Sequence, residues 1–176
     1  MRQFLVVLTL IICCSANFAR AANRVDVSIG NITRPSDTSP LFNSFQTGLS
    51  WDTDFFKSDE GRVHRSLRIE TGIGLYRAEY RNVRSMILAP VLHYQLNSPG
   101  AQPFIELSVG AAYLSETRWE KGYDISSRRL FADRIGFGYA FEEMEISLNY
   151  SHFSNAGLHR PNPGADMVAV RASFKL

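Results

Sequence analysis

The feature that most restricts this chain is a period of two. Apolar side chains recur at alternate positions over Val25–Ile29, Thr47–Trp51, Leu67–Leu75, Met86–Tyr94, Ile105–Tyr113, Ile135–Phe141, Met144–Tyr150 and Val168–Phe174. Such alternation gives a strand two unlike faces. No apolar run after residue 21 approaches the roughly 18 residues a membrane helix requires. A soluble sandwich would alternate as well, so the pattern by itself leaves the architecture open. Three further features favour a barrel. The less apolar face carries Arg68, Glu70, Glu106, Arg134 and Arg171 beside glycines such as Gly72, Gly74, Gly136 and Gly138, a composition suited to a narrow polar lumen. Trp51, Tyr76, Tyr94, Tyr113, Phe141 and Phe174 fall at strand ends, as in an interfacial girdle. The strands also run to the last residue, and closure would remove edges that lipid does not tolerate. The expected fold is all-β, an eight-stranded antiparallel transmembrane β-barrel.

Residues 1–21, MRQFLVVLTLIICCSANFARA, read as a cleaved secretory signal peptide. Arg2 gives the positive start, Phe4–Cys14 the short apolar core, and Ala19-Arg20-Ala21 a small-x-small cleavage site. The barrel then occupies 22–176. Cys13 and Cys14 are the two cysteines of the chain, so the mature protein has no thiol or disulfide chemistry. Without Arg2 and Arg20 the basic residues number 17, matching the 17 acidic ones. A nucleic-acid binder would show a basic excess, and this chain does not.

The connections at 33–42, 77–82, 115–129 and 155–166 are longer than those at 97–102 and 142–143, with 52–61 as an exception. In an outer-membrane barrel the longer connections face outside the cell. The seventh strand then ends at the extracellular surface, and there the sequence reads SHFSNAGLHRPNPGAD. His152 and Ser154 share the parity of Met144, Ile146, Leu148 and Tyr150, the lipid-facing set. Asp166 shares the parity of Val168, Val170 and Phe174. One loop joins the two strands, so all three groups converge on the outer wall. An imidazole and a carboxylate facing lipid are costly and need a reason. One reading is a nucleophile, Ser154, a base, His152, and an orienter, Asp166, with backbone N–H groups near Ala156 and Gly157 as oxyanion donors. The other is a set of interfacial polar residues that cap a strand.

The run His-x-Ser-Asn-Ala-Gly followed by Pro-Asn resembles the signature of the PagL family of outer-membrane lipid A 3-O-deacylases. GLSWDTD, LAPVLHYQL, PFIELSVGAAYLS and FADRIGFG resemble that family's other segments in order. The resemblance implies an eight-stranded barrel with its active site on the outer wall. It implies a serine esterase that hydrolyses the 3-hydroxyacyl chain at position 3 of lipid A, in the outer leaflet of a bacterial outer membrane. His152 and Ser154 match the family's histidine and serine. Asp166 stands where better-known members carry a glutamate one methylene longer. Asn155 and Asn162 match asparagines that shape the loop and oxyanion site. No metal and no cofactor are implied. Lipopolysaccharide is the implied partner, and Arg118, Lys121, Arg128, Arg129, His159 and Arg160 would meet its phosphates or form ordinary charged loops. The sequence leaves a homo-oligomer open. Another barrel lipid enzyme, a phospholipase or acyltransferase, and a non-catalytic structural or adhesion barrel are the alternatives. His93 and Glu106 have inward parity and are expected to serve interior hydrogen bonds and ion pairs with Arg68 or Arg134.

Overall fold

A computed structural model describes residues 22–35, 42–58, 61–78 and 82–176. The segment read as a signal peptide lies outside the described residues. Eight long strands form one closed antiparallel barrel: β1 (Arg24–Arg34), β2 (Ser44–Ser58), β3 (Val63–Arg77), β4 (Asn82–Leu96), β5 (Gln102–Leu114), β8 (Arg129–Ala140), β9 (Met144–Ser154) and β10 (Ala165–Lys175). Two short strands, β6 (Arg118–Glu120) and β7 (Tyr123–Asp124), pair within the connection from β5 to β8. Each long strand pairs with its sequence neighbours, and β1 closes on β10 from Arg24↔Lys175 to Arg34↔Asp166. Every interior ladder is thus satisfied and no edge faces lipid.

The alternation read from the sequence sets which face turns outward. Ile29, Phe45, Leu49, Ile73, Met86, Val109, Phe137, Leu148 and Val170 are exposed hydrophobics on the outer wall. Their neighbours in sequence, among them Asp26, Ser50, Arg68, Glu70, Ser85, Glu106, Ser147, Asn149 and Arg171, are buried. This is the inverse of a soluble protein, as a lipid-solvated barrel requires. Outward-facing Tyr94, Tyr113, Phe141 and Phe174 are exposed near strand ends.

The lumen is divided along its length, which the uniform polar interior expected above does not describe. Towards the short-turn end it holds an ion network. Arg68 pairs with Glu145 at 2.7 Å, Asp52 at 3.1 Å and Glu106 at 3.4 Å. Arg171 bridges Glu70 at 2.5 Å, Asp26 at 3.0 Å and Glu106 at 3.3 Å, while Arg134 reaches Glu70 at 2.7 Å and Glu106 at 3.6 Å. His93 meets Glu106 at 3.2 Å. Glu106 therefore pairs with both expected arginines. Space is tight here: a Cβ on Gly136 would stand 2.2 Å from Asn149 Oδ1.

Towards the loop-rich end the lumen is instead apolar, a plug of Ile32, Tyr76, Val83, Leu114, Trp119, Ile125, Phe153 and Met167. Tyr76 belongs to this plug and not to the girdle. It is fully buried, donating to or accepting from Ser85 Oγ at 3.0 Å and packed on Trp119 and Phe153 with ring centroids 5.5 and 5.9 Å away. Its parity is that of Arg68 and Glu70, which point in. The connection 115–129 folds back as the β6–β7 hairpin so that Trp119 and Ile125 close the barrel mouth. The exceptional connection 52–61 is mostly strand. β2 continues to Ser58 and β3 starts at Val63, with an irregular register between Thr53 and Ser58. Asp52 keeps its inward alternation and reaches Arg68, which holds β2 in the ladder past the point where its apolar pattern ends.

Candidate active site

The loop-rich end of β9 carries the polar side chains whose outward parity stood out. In register, His152 of β9 faces Asp166 of β10 on one side and Asp133 of β8 on the other. His152 Nδ1 lies 2.5 Å from Asp166 Oδ1. An ionised carboxylate can only accept, so Nδ1 carries a proton, and in the neutral ring Nε2 then keeps its lone pair. The Asp166 side chain is 8% exposed and that of His152 32%, so the pair is sheltered while one edge of the ring stays open. Ser154 is half-buried, two residues further along the same face of β9 and opposite Phe131 of β8. Among the described residues no hydrogen bond joins its hydroxyl to the ring. The structure thus brings His152 and Asp166 into contact and sets Ser154 beside them on the same wall.

The loop after Ser154 is tied down by the β6–β7 hairpin. Asn155 is buried and its side chain points inward, donating from Nδ2 to Ile125 O at 3.0 Å and accepting at Oδ1 from His159 N at 3.3 Å. Its own N–H donates to Asn162 Oδ1 at 3.2 Å. The two asparagines therefore tie the loop together. Ala156 and Gly157 occupy the left-handed region, φ 53° and 76°, within a turn closed by Leu158 N to Asn155 O at 3.1 Å. This tight turn follows immediately after Ser154. Further along, Ser126 Oγ donates to Pro161 O at 2.6 Å and Tyr123 Oη to Gly164 O at 2.8 Å. Burial pushes the Tyr123 phenol up to about 12, so it remains a donor at neutral pH.

Three neighbours escaped the sequence reading. Gly164, at φ 75°, lies against the ring: a Cβ there would be 2.6 Å from His152 Cε1 and 3.3 Å from Nε2. Arg34 reaches Asp166 from β1. Asp133 lies outward on β8, and its shared parity with Ile135, Phe137 and Tyr139 was the available signal. Gly164 and Arg34 had no such signal, since both act through packing across strands. Of metal-ligating groups among the described residues, His93, Glu106 and Glu145 in the lumen bring one ligand atom each within 4.8 Å of one another. Arg68 spans both carboxylates, so their charge is met by a guanidinium. The loop cations stand at the same end as His152, with Arg118 largely exposed beside Asp124 at 4.0 Å.

A closed barrel with an apolar outer wall defines the chain as a transmembrane β-barrel, and a histidine–carboxylate pair stands on that wall. A family model for lipid A 3-O-deacylase (PagL) matches residues 39–175. The chain belongs to this family of outer-membrane β-barrels. It is 31% identical over 132 residues to lipid A deacylase PagL of Pseudomonas aeruginosa, covering 72% of this chain and 75% of that protein. To lipid A deacylase PagL of Bordetella bronchiseptica it is 39% identical over 77 residues, 43% of each chain. The crystal structure of the outer membrane enzyme PagL superposes with a TM-score of 0.77 at 26% identity, over 87% of this chain and 99% of that one.

Proposed function

We propose that this chain is a serine esterase that removes the 3-O-linked 3-hydroxyacyl chain from lipid A, using Ser154, His152 and Asp166. The observation that carries the reading is the His152–Asp166 pair on the lipid-facing wall, with the Nε2 lone pair left free and a serine next on that face. The reading requires the Ser154 hydroxyl to meet Nε2, a contact that often tightens only with substrate bound. Ser154 Oγ attacks the ester carbonyl as Nε2 takes its proton. Backbone N–H groups of the Ala156–Gly157 turn receive the oxyanion. Collapse breaks the ester bond, and His152 returns the proton to the departing sugar hydroxyl. Water, deprotonated by the same ring, then attacks the acyl-enzyme, freeing the hydroxy fatty acid and Ser154. Asp166 holds the tautomer and balances the imidazolium.

Location supports the substrate class. Strands that begin at the short-turn end put the site at the mouth bearing the long loops, the level of the outer leaflet in a barrel of this kind. There the ester of lipid A meets the wall without the lipid leaving the membrane. Arg118, Lys121, Arg128, Arg129, His159 and Arg160 form the cationic rim for its phosphates.

The test is mass spectrometry of lipid A from cells with and without the protein, beside a Ser154→Ala variant. The wild type should remove one hydroxyacyl chain. The variant should insert as a barrel and leave lipid A intact. Lysophospholipid or added acyl mass would instead indicate a phospholipase or acyltransferase, and no lipid change a structural barrel.

A further inference from the structure

The end of β1 carries a bulge that faces this site. Ile32 pairs with Met167 and points into the apolar plug, yet the next pairing is Arg34↔Asp166, so one extra residue is inserted between them. Strict alternation would send Arg34 into the lumen with Ile32. The bulge turns it to the outer face beside Asp166, the re-aiming of a side chain that bulges perform. Arg34 Nε lies 3.1 Å from Asp166 Oδ2, and Nη1 donates to Pro163 O at 3.1 Å. The other carboxylate oxygen, Oδ1, is the one that meets His152. Asp166 is thus held at both oxygens, and the guanidinium also grips the backbone carbonyl of Pro163, immediately before Gly164.

The Arg34 side chain is 54% exposed against 8% for Asp166, so the guanidinium caps a sheltered carboxylate from the open side of the wall. Orientation is what the geometry supplies. The Tyr150 hydroxyl also approaches this carboxylate, yet a single phenol leaves rotation about χ2 open, and a short aspartate has little reach to spare. The planar guanidinium, bonded at once to Oδ2 and to the loop that precedes Asp166, fixes that rotation.

We propose that Arg34 is a positioning residue of the esterase site, acting through Asp166 to present Oδ1 to the histidine. The inference rests on the triad reading above. Its test uses the full barrel in detergent with purified lipid A and measures fatty-acid release for Arg34→Met, Arg34→Lys, Asp166→Ala and the Arg34→Met/Asp166→Ala double variant. Arg34→Met should lower kcat by about tenfold to a hundredfold and leave KM within about twofold of wild type, the pattern of lost orientation. Lysine should restore part of the rate. In the Asp166→Ala background the same Arg34 change should cost nothing further.

An unchanged kcat, a raised KM with intact kcat, or a full additional loss in the Asp166→Ala background would each overturn the inference. So would an Arg34→Met variant lacking the folded barrel's shifted gel mobility, since that assigns Arg34 to barrel closure. Ser154→Ala run alongside separates the two levels. If it stays active, or if the wild type releases nothing from lipid A, the triad reading has failed and not the role of Arg34 within it.

Discussion

At the scale of single residues, the candidate site depends on one imidazole set between Asp166 and Gly164. Asp166 fixes its tautomer, and Gly164 leaves room for its Cε1–Nε2 edge. Gly164 meets two demands, a φ of 75° and the absence of a Cβ, which only glycine satisfies together. Replacing Gly164 with alanine should push the ring out of line and lower kcat by about a hundredfold, since displacements near 1 Å carry that cost. Steady-state kinetics on lipid A, with gel mobility as the folding control, check this. His152 and Asp166 were legible in the sequence because polar groups broke a lipid-facing row. Gly164 was hidden, because its role comes from what a side chain would strike across the loop.

At the scale of elements, the β6–β7 hairpin is the support on which the active-site loop rests. It is pinned below by Trp119 in the plug and reaches the loop through Tyr123, Ser126 and the carbonyl of Ile125. Tyr123→Phe removes the hydrogen bond to Gly164 O and should lower kcat several-fold without loss of the barrel. Burial of the same phenol makes a pH prediction. A phenol raised from its ordinary 10.0 to about 12 favours the folded state in full below pH 10. That contribution is lost as pH rises from 10 through 12. Limited proteolysis of the loops should therefore be unchanged from neutral pH to pH 10 and increase above it, with the increase absent in Tyr123→Phe. In the sequence this connection read as an undivided charged loop. Its two short strands have no alternation long enough to register, and Trp119 buries against Tyr76 and Phe153 from distant strands.

At the scale of the whole molecule, the lumen is layered, ions towards the short-turn end and an apolar plug under the site. The plug lies beneath the candidate site, while the ions fill the polar part of the lumen. Glu106 is the centre of the ionic layer, within 3.6 Å of Arg68, Arg134, Arg171 and His93. Removing one partner from a buried network leaves uncompensated charge, at a cost of about 3–5 kcal/mol. Glu106→Ala should lower the temperature at which the folded band is lost on heated gels, and spare the turnover of whatever barrel remains folded. Loss of activity at unchanged thermal stability would contradict this division.

The sequence by itself determined the face of every strand, because a two-residue period leaves no freedom once one side must meet lipid. It also placed His152, Ser154 and Asp166 on that outer side. Tertiary structure decided what depends on closure. The pairing of β1 with β10 brings Arg34 to Asp166, and a one-residue bulge turns it outward. The folding of a loop into the mouth makes half the lumen apolar and draws Tyr76 into it. Alternation specifies direction along a strand and carries no information about which distant strand, or which inserted residue, stands opposite.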